Sequence, residues 1–77
     1  MSHDEDRERV TMDDFIAGDV YLDYPYEQAK FRYESATRKV YRRFYGEAEM
    51  EIPHSSHLYN EAILGGWKIG RDDYFRD

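Results

Sequence analysis

Residues 29–45 decide the fold. They read Ala29-Lys30-Phe31-Arg32-Tyr33-Glu34, then Ser35-Ala36-Thr37-Arg38, then Lys39-Val40-Tyr41-Arg42-Arg43-Phe44-Tyr45. Two runs in which aromatic residues alternate with charges, parted by a short polar break, predict a β-hairpin. Arg38 stands near the slot where a left-handed residue follows a type I turn, a position that glycine fills with less strain. From Val40 onward the even positions are Val40, Arg42, Phe44, Gly46, Ala48, Met50 and Ile52, and all but Arg42 are apolar or glycine. The odd positions are Tyr41, Arg43, Tyr45, Glu47, Glu49 and Glu51. This period of two is that of a half-buried strand. Gly46 either bends one long strand or, with Glu47, turns the chain back into a third. Pro53 ends the pattern.

Toward the N-terminus, Asp19 to Tyr24 reads as a short extended segment stopped by Pro25. Before it, Thr11 is a good helix cap, Asp13 and Asp14 suit the positive end of a helix, and Gly18 is a natural stop, so one short helical turn is expected. Residues 1–12 are dominated by charge, with Val10 as the lone aliphatic besides two methionines. They offer too little apolar surface to offset ordering, and a disordered acidic tail is expected there. Toward the C-terminus, Ser55 and Ser56 can cap a helix bearing Leu58, Tyr59, Ala62 and Ile63, which Gly65-Gly66 terminates. Trp67 and Ile69 are expected core anchors, and residues 71–75 a last helical turn. The expected architecture is α+β: an antiparallel meander of two or three strands, one main helix on one face, short helical turns at both ends, and a single domain over residues 13–77.

The chain has 77 residues, with 17 acidic side chains against 11 basic ones and a net charge of −6. A domain of this size gains only about 3–5 kcal/mol from its own core, so a staple or a partner is expected. There is no cysteine, which excludes disulfides and thiolate zinc sites. The acidic start lacks the basic and then apolar run of a signal peptide, and no apolar run approaches the roughly 20 residues of a membrane span. A cytoplasmic protein with no membrane partner is expected, with a homodimer or a larger protein partner as the available stabiliser.

Charge is segregated. Residues 31–43 carry five bases and one acid, whereas residues 44–64 carry four acids and no base. One reading neutralises the two blocks internally, Arg42 or Arg43 facing Glu34 or Glu47 across strands. A second takes Glu47, Glu49 and Glu51 as a strand row with carboxylates about 6.6 Å apart, similar to successive phosphates, which would occupy a basic nucleic-acid-handling surface in a salt-sensitive way. Asp13, Asp14, Asp19, Asp23 and Glu27 extend that acidic surface. Tyr21, Tyr24, Tyr26, Tyr41 and Tyr45, with Arg43, supply the residue types over-represented at interface hot spots. The opposite polarity, Arg38, Lys39, Arg42 and Arg43 interleaved with Tyr41, Phe44 and Tyr45, with Phe31, Arg32 and Tyr33 on the pairing strand, would suit single-stranded nucleic acid, but the net charge works against it. His54 and His57 have an H-x-x-H spacing to which Glu51 or Glu61 could add ligands, but their place between Pro53 and a helix start suits capping and loop roles, and neither a nucleophile elbow nor a phosphate loop is present. No metal, cofactor or catalytic residue is expected. In size, charge and cysteine-free, tyrosine-rich composition the chain resembles small phage-encoded inhibitors, including anti-CRISPR and anti-restriction proteins. That resemblance implies a non-enzymatic module that acts by occupying a host protein's surface; a nucleic-acid-binding hairpin or a small assembly subunit is the alternative.

Overall fold

Five strands form one antiparallel sheet: Val20–Tyr24 (β1), Ala29–Glu34 (β2), Lys39–Phe44 (β3), Met50–Ile52 (β4) and Trp67–Lys68 (β5), in the order β4-β3-β2-β1-β5. Among the described residues three α-helices accompany it: Met12–Ala17 (α1), His57–Gly65 (α2) and Arg71–Phe75 (α3). The computed structural model describes residues 8–76.

The hairpin of β2 and β3 pairs from Ala29 opposite Phe44 to Glu34 opposite Lys39. Its turn places Arg38 at φ 61°, and the Arg38 N–H closes on the Glu34 carbonyl at 2.7 Å. Gly46, at φ 77°, sits in the turn closed by the Glu47 N–H on the Phe44 carbonyl. It therefore reverses the chain rather than bending a single strand, and β4 returns with Met50 opposite Arg42 and Ile52 opposite Val40.

The expected two or three strands are corrected to five among the described residues. β1 joins because Val20 and Leu22 fall opposite Tyr33 and Phe31, so its apolar residues extend a face already made by the hairpin. β5 has two residues, too few for any periodicity to show, and is held by pairing Lys68 with Leu22 and Trp67 with Asp23. Trp67 and Ile69 are half-buried at this edge rather than central to the core.

Residues directly opposite share a face, so Val20, Leu22, Ala29, Phe31, Val40 and Ile52 line one side of the sheet. α2 covers that side with Tyr59 and Ala62; the Phe31 and Tyr59 rings lie 5.9 Å apart. Ser56 caps α2 by accepting from the Tyr59 N–H at 3.5 Å. Burial of the Tyr59 ring pushes its hydroxyl up to about 12. α1 begins after Thr11 and stops at Gly18, and its Phe15 meets Tyr33 edge-on at 5.3 Å.

Residues 1–7 of the expected tail lie outside the described residues, but Glu8 to Met12 belong to the domain. Glu8 bridges to Lys68 in the sheet, Arg9 donates to the Leu64 carbonyl, and Val10 packs on the core. A tail through residue 12 is thus corrected: alternating charges hid the contacts that Glu8 and Arg9 make with specific partners.

Gly66 shows how tightly α2 meets the sheet. A Cβ there would stand 2.6 Å from the Ala62 carbonyl oxygen and 2.8 Å from that of Asp23, both backbone atoms, whereas one at Gly70 would meet nothing within 4 Å. Gly66→Ala is expected to cost on the order of 2 kcal/mol, as overpacking does, and Gly70→Ala less than about 0.5 kcal/mol. Urea unfolding of the two variants checks this; equal midpoints would contradict it.

Candidate protein-binding surface

The second face of the sheet is polar and aromatic, carrying Tyr21, Arg32, Tyr41 and Arg43 by the same register. Its organiser is Arg32. Nε and Nη2 donate to the two carboxylate oxygens of Glu49 at 3.1 and 2.8 Å, and Nη1 donates to Glu34 at 3.1 Å. Its guanidinium lies 4.1 Å from the centroid of the Tyr41 ring. Tyr74 of α3, fully buried, donates its hydroxyl to Glu49 at 2.8 Å and packs 5.6 Å from Tyr21. Lys30 donates to the carbonyls of Asp73 and Arg76, and Arg43 reaches that of Phe75 at 3.5 Å. The Arg32 guanidinium, followed by the Tyr74 hydroxyl, holds the Glu49 carboxyl below the usual carboxylate range.

These contacts reassign half of the residues singled out in the sequence. Glu47 lies in a turn and Glu49 in the segment before β4, so only Glu51 is on a strand and the evenly spaced carboxylate row does not form. The reason is Gly46, which converts the continuous pattern into a reversal. Glu49 is committed to Arg32, and Glu51 faces Lys39 at 3.9 Å. Tyr21 is half-buried and Arg43 is 7 % exposed because α3 lies across what would otherwise be an outer face, and Tyr41 is half-buried with the Arg32 guanidinium over its ring. Asp19 accepts from the backbone N–H and hydroxyl of Ser35, both at 2.8 Å, and those bonds lower its pKa.

The other half converge at one end of the sheet. The turn Pro25–Glu27 follows β1, and the Tyr45 N–H donates to the Gln28 carbonyl at 2.9 Å, which sets the Phe44–Glu47 turn beside it. Tyr24 and Tyr26 have ring centroids 5.8 Å apart, Tyr26 being 78 % exposed. Tyr24 donates to Glu61 of α2 at 3.4 Å, and burial and then the Glu61 charge raise its pKa. Tyr45 donates to Asp23 and has Lys30 over its ring at 5.6 Å. Glu27 and Glu47 are exposed on the two turns. Three aromatic rings ringed by Asp23, Glu27, Glu47 and Glu61 form an acidic, aromatic end on a rigid support.

A second exposed feature went unread in the sequence. Met12 and Ile16, one turn apart on α1, and Leu64 at the end of α2 are each at least 75 % exposed. The i,i+4 spacing of Met12 and Ile16 was visible, but a helix of six residues is too short to tell an inner from an outer stripe. The histidines separate into different contacts. His54 meets the Arg38 carbonyl, and exposed His57 pairs with Glu61 at 2.9 Å. Among the described residues no three His, Asp or Glu side chains gather as a metal set, and no helix is long and apolar enough to cross a membrane.

A small rigid sheet whose chemistry is spent on its own assembly, with one acidic and aromatic end left open, has the character of a protein-binding domain. Residues 9–77 match the Tis1 immunity protein family, and the chain belongs to it. It is 37% identical over 62 residues to the immune protein Tis1 of Pseudomonas aeruginosa (strain UCBPP-PA14), covering 78% of this chain and 80% of that one. Its fold is similar to a chain in the crystal structure of the complex between the Type VI effector Tas1 and its immunity protein. The TM-score is 0.79 at 32% identity, over 86% of this chain and 90% of that one. The likeness to phage-encoded and anti-CRISPR inhibitors is corrected accordingly: size and charge are shared by many small inhibitors, and the family is that of an immunity protein.

The Arg32–Glu49 pair sets a pH dependence. Because the folded Glu49 carboxyl titrates below its unfolded value, its contribution is complete above the unfolded value and lost as pH falls through the folded one. Glu49→Gln is expected to cost roughly 2 kcal/mol at pH 7, in the range of charged hydrogen bonds, and to flatten the loss of stability on acidification below about pH 4.5. Urea melts from pH 7 to pH 3 on both proteins test this, and parallel acid limbs would count against it.

Proposed function

We propose that this chain neutralises a type VI effector of the Tas1 kind by binding it, without chemistry of its own, and that the acidic, aromatic end of the sheet is part of the contact. Family membership over residues 9–77 carries the first half of this reading. The second half is supported by the gathering of Tyr24, Tyr26, Tyr45, Asp23, Glu27 and Glu47 at one end, with Tyr26 and both glutamates exposed. Tyrosine contributes large contact area with few rotors, and carboxylates on the rim speed encounter with a basic surface. The partner surface is therefore basic where it meets these turns. A nucleic-acid-binding hairpin is disfavoured because Arg43 is buried against α3 and Arg32 is neutralised by Glu34 and Glu49.

Growth rescue and co-purification on co-expression with Tas1 test the first half. For the second, Glu27→Lys/Glu47→Lys is expected to lower the association rate about tenfold and to weaken its salt dependence. Tyr26→Ala is expected to speed dissociation by tenfold or more. Unchanged stopped-flow and surface-binding rates in both variants would remove this end from the interface.

A further inference from the structure

We propose that Arg42 is a receptor for a carboxylate presented by the protein partner, and thereby helps to set which effector this chain binds; the proposal rests on the immunity reading above. Arg32 provides the internal standard. It closes its Nε and Nη2 edge on Glu49, the two-point geometry that a guanidinium offers a carboxylate. Arg42 lies on the opposite face of the sheet, on β3 opposite Met50 of β4 and Phe31 of β2. Its corresponding edge is not closed. Nη2 lies 2.8 Å from the Met50 sulfur, a weak acceptor, and Nε is shut off from solvent with no hydrogen-bond partner among the described residues.

The surroundings suit a ligand brought from outside. The guanidinium lies 4.6 Å from the centroid of the Phe44 ring, a contact that steadies its plane. Met50 is 54 % exposed on the edge strand, and its flexible thioether can swing aside. A carboxylate entering there would exchange a thioether contact and an unmet donor for two charge-assisted bonds. A single carboxylate is favoured over a phosphate backbone because the chain carries a net charge of −6, which repels a polyanion.

Such a residue burdens the free protein and serves the complex, so the two readouts separate. Arg42→Met keeps the stem on Phe44 and removes the unmet donors. Its urea midpoint is expected to equal or exceed that of the wild type, while its Kd for purified Tas1, measured by calorimetry, rises tenfold or more. Arg42→Lys keeps the charge without the two-point edge and is expected to recover only part of the affinity. Failure of the wild type to bind Tas1 would overturn the immunity reading for that effector, and this inference with it. Wild-type binding with an unchanged Kd for Arg42→Met would overturn the role of Arg42 alone. A lower midpoint for free Arg42→Met would make the guanidinium a structural element, and wild-type binding of a twenty-nucleotide oligothymidine that the variant loses would make the ligand a nucleic acid; either result overturns the proposal.

Discussion

The bond between the Arg32 guanidinium and the Glu49 carboxylate is the contact on which the second half of the structure depends. α3 has five residues, far below the length at which a helix is stable by itself in water. It stays in place because Glu49, already aligned by Arg32, accepts the Tyr74 hydroxyl, and because Lys30 and Arg43 take up carbonyls of its last turn. Two elements that share no strand pairing, the segment before β4 and the C-terminal helix, are thereby fixed to the same point of β2. The opposite face is held by apolar burial under α2. The sheet is thus sealed on one side by oil and on the other by charge and aromatic rings.

That division explains the composition. Aliphatic residues are scarce because one apolar face is all the fold needs. Tyrosine is abundant because the second face needs rings that can also hydrogen-bond, as Tyr74 does to Glu49. It also explains where binding surface remains. With Tyr21 and Arg43 beneath α3 and Tyr41 under the Arg32 guanidinium, the exposed interaction-prone groups are left at the turns, at the short helices and at the β4 edge.

Local chemistry was legible in the sequence; pairings at a distance were not. The Thr11 to Gly18 helix, the hairpin with its left-handed Arg38, the serine-capped α2 and the final turn after Gly70 all follow from residues within a few positions of each other. Whether Gly46 bends or reverses the chain depends on where Met50 finds Arg42, a question that period-two patterning leaves open because both solutions keep the even residues together. The acidic row failed for the same reason. Glu49 looks like its neighbours in sequence and differs only because Arg32, seventeen positions away, lies beneath it. Of the candidate site, Tyr24, Tyr26, Glu27, Tyr45, Asp23 and Glu47 stand out in the sequence one by one, but their convergence at one end of the sheet required knowing that the Tyr45 N–H meets Gln28.

The lock on α3 has an asymmetry that bears on which of its residues can be changed. Lys30 and Arg43 grip it through backbone carbonyls, which every amino acid possesses, and among the described residues only Tyr74 is tied to the sheet side by a side-chain hydrogen bond. Residues 71–73 and 75–76 are exposed. Substitutions at these positions change the outer surface while leaving the carbonyl contacts in place. The outer surface of this segment can therefore be remade at little structural cost, provided that Tyr74 is kept.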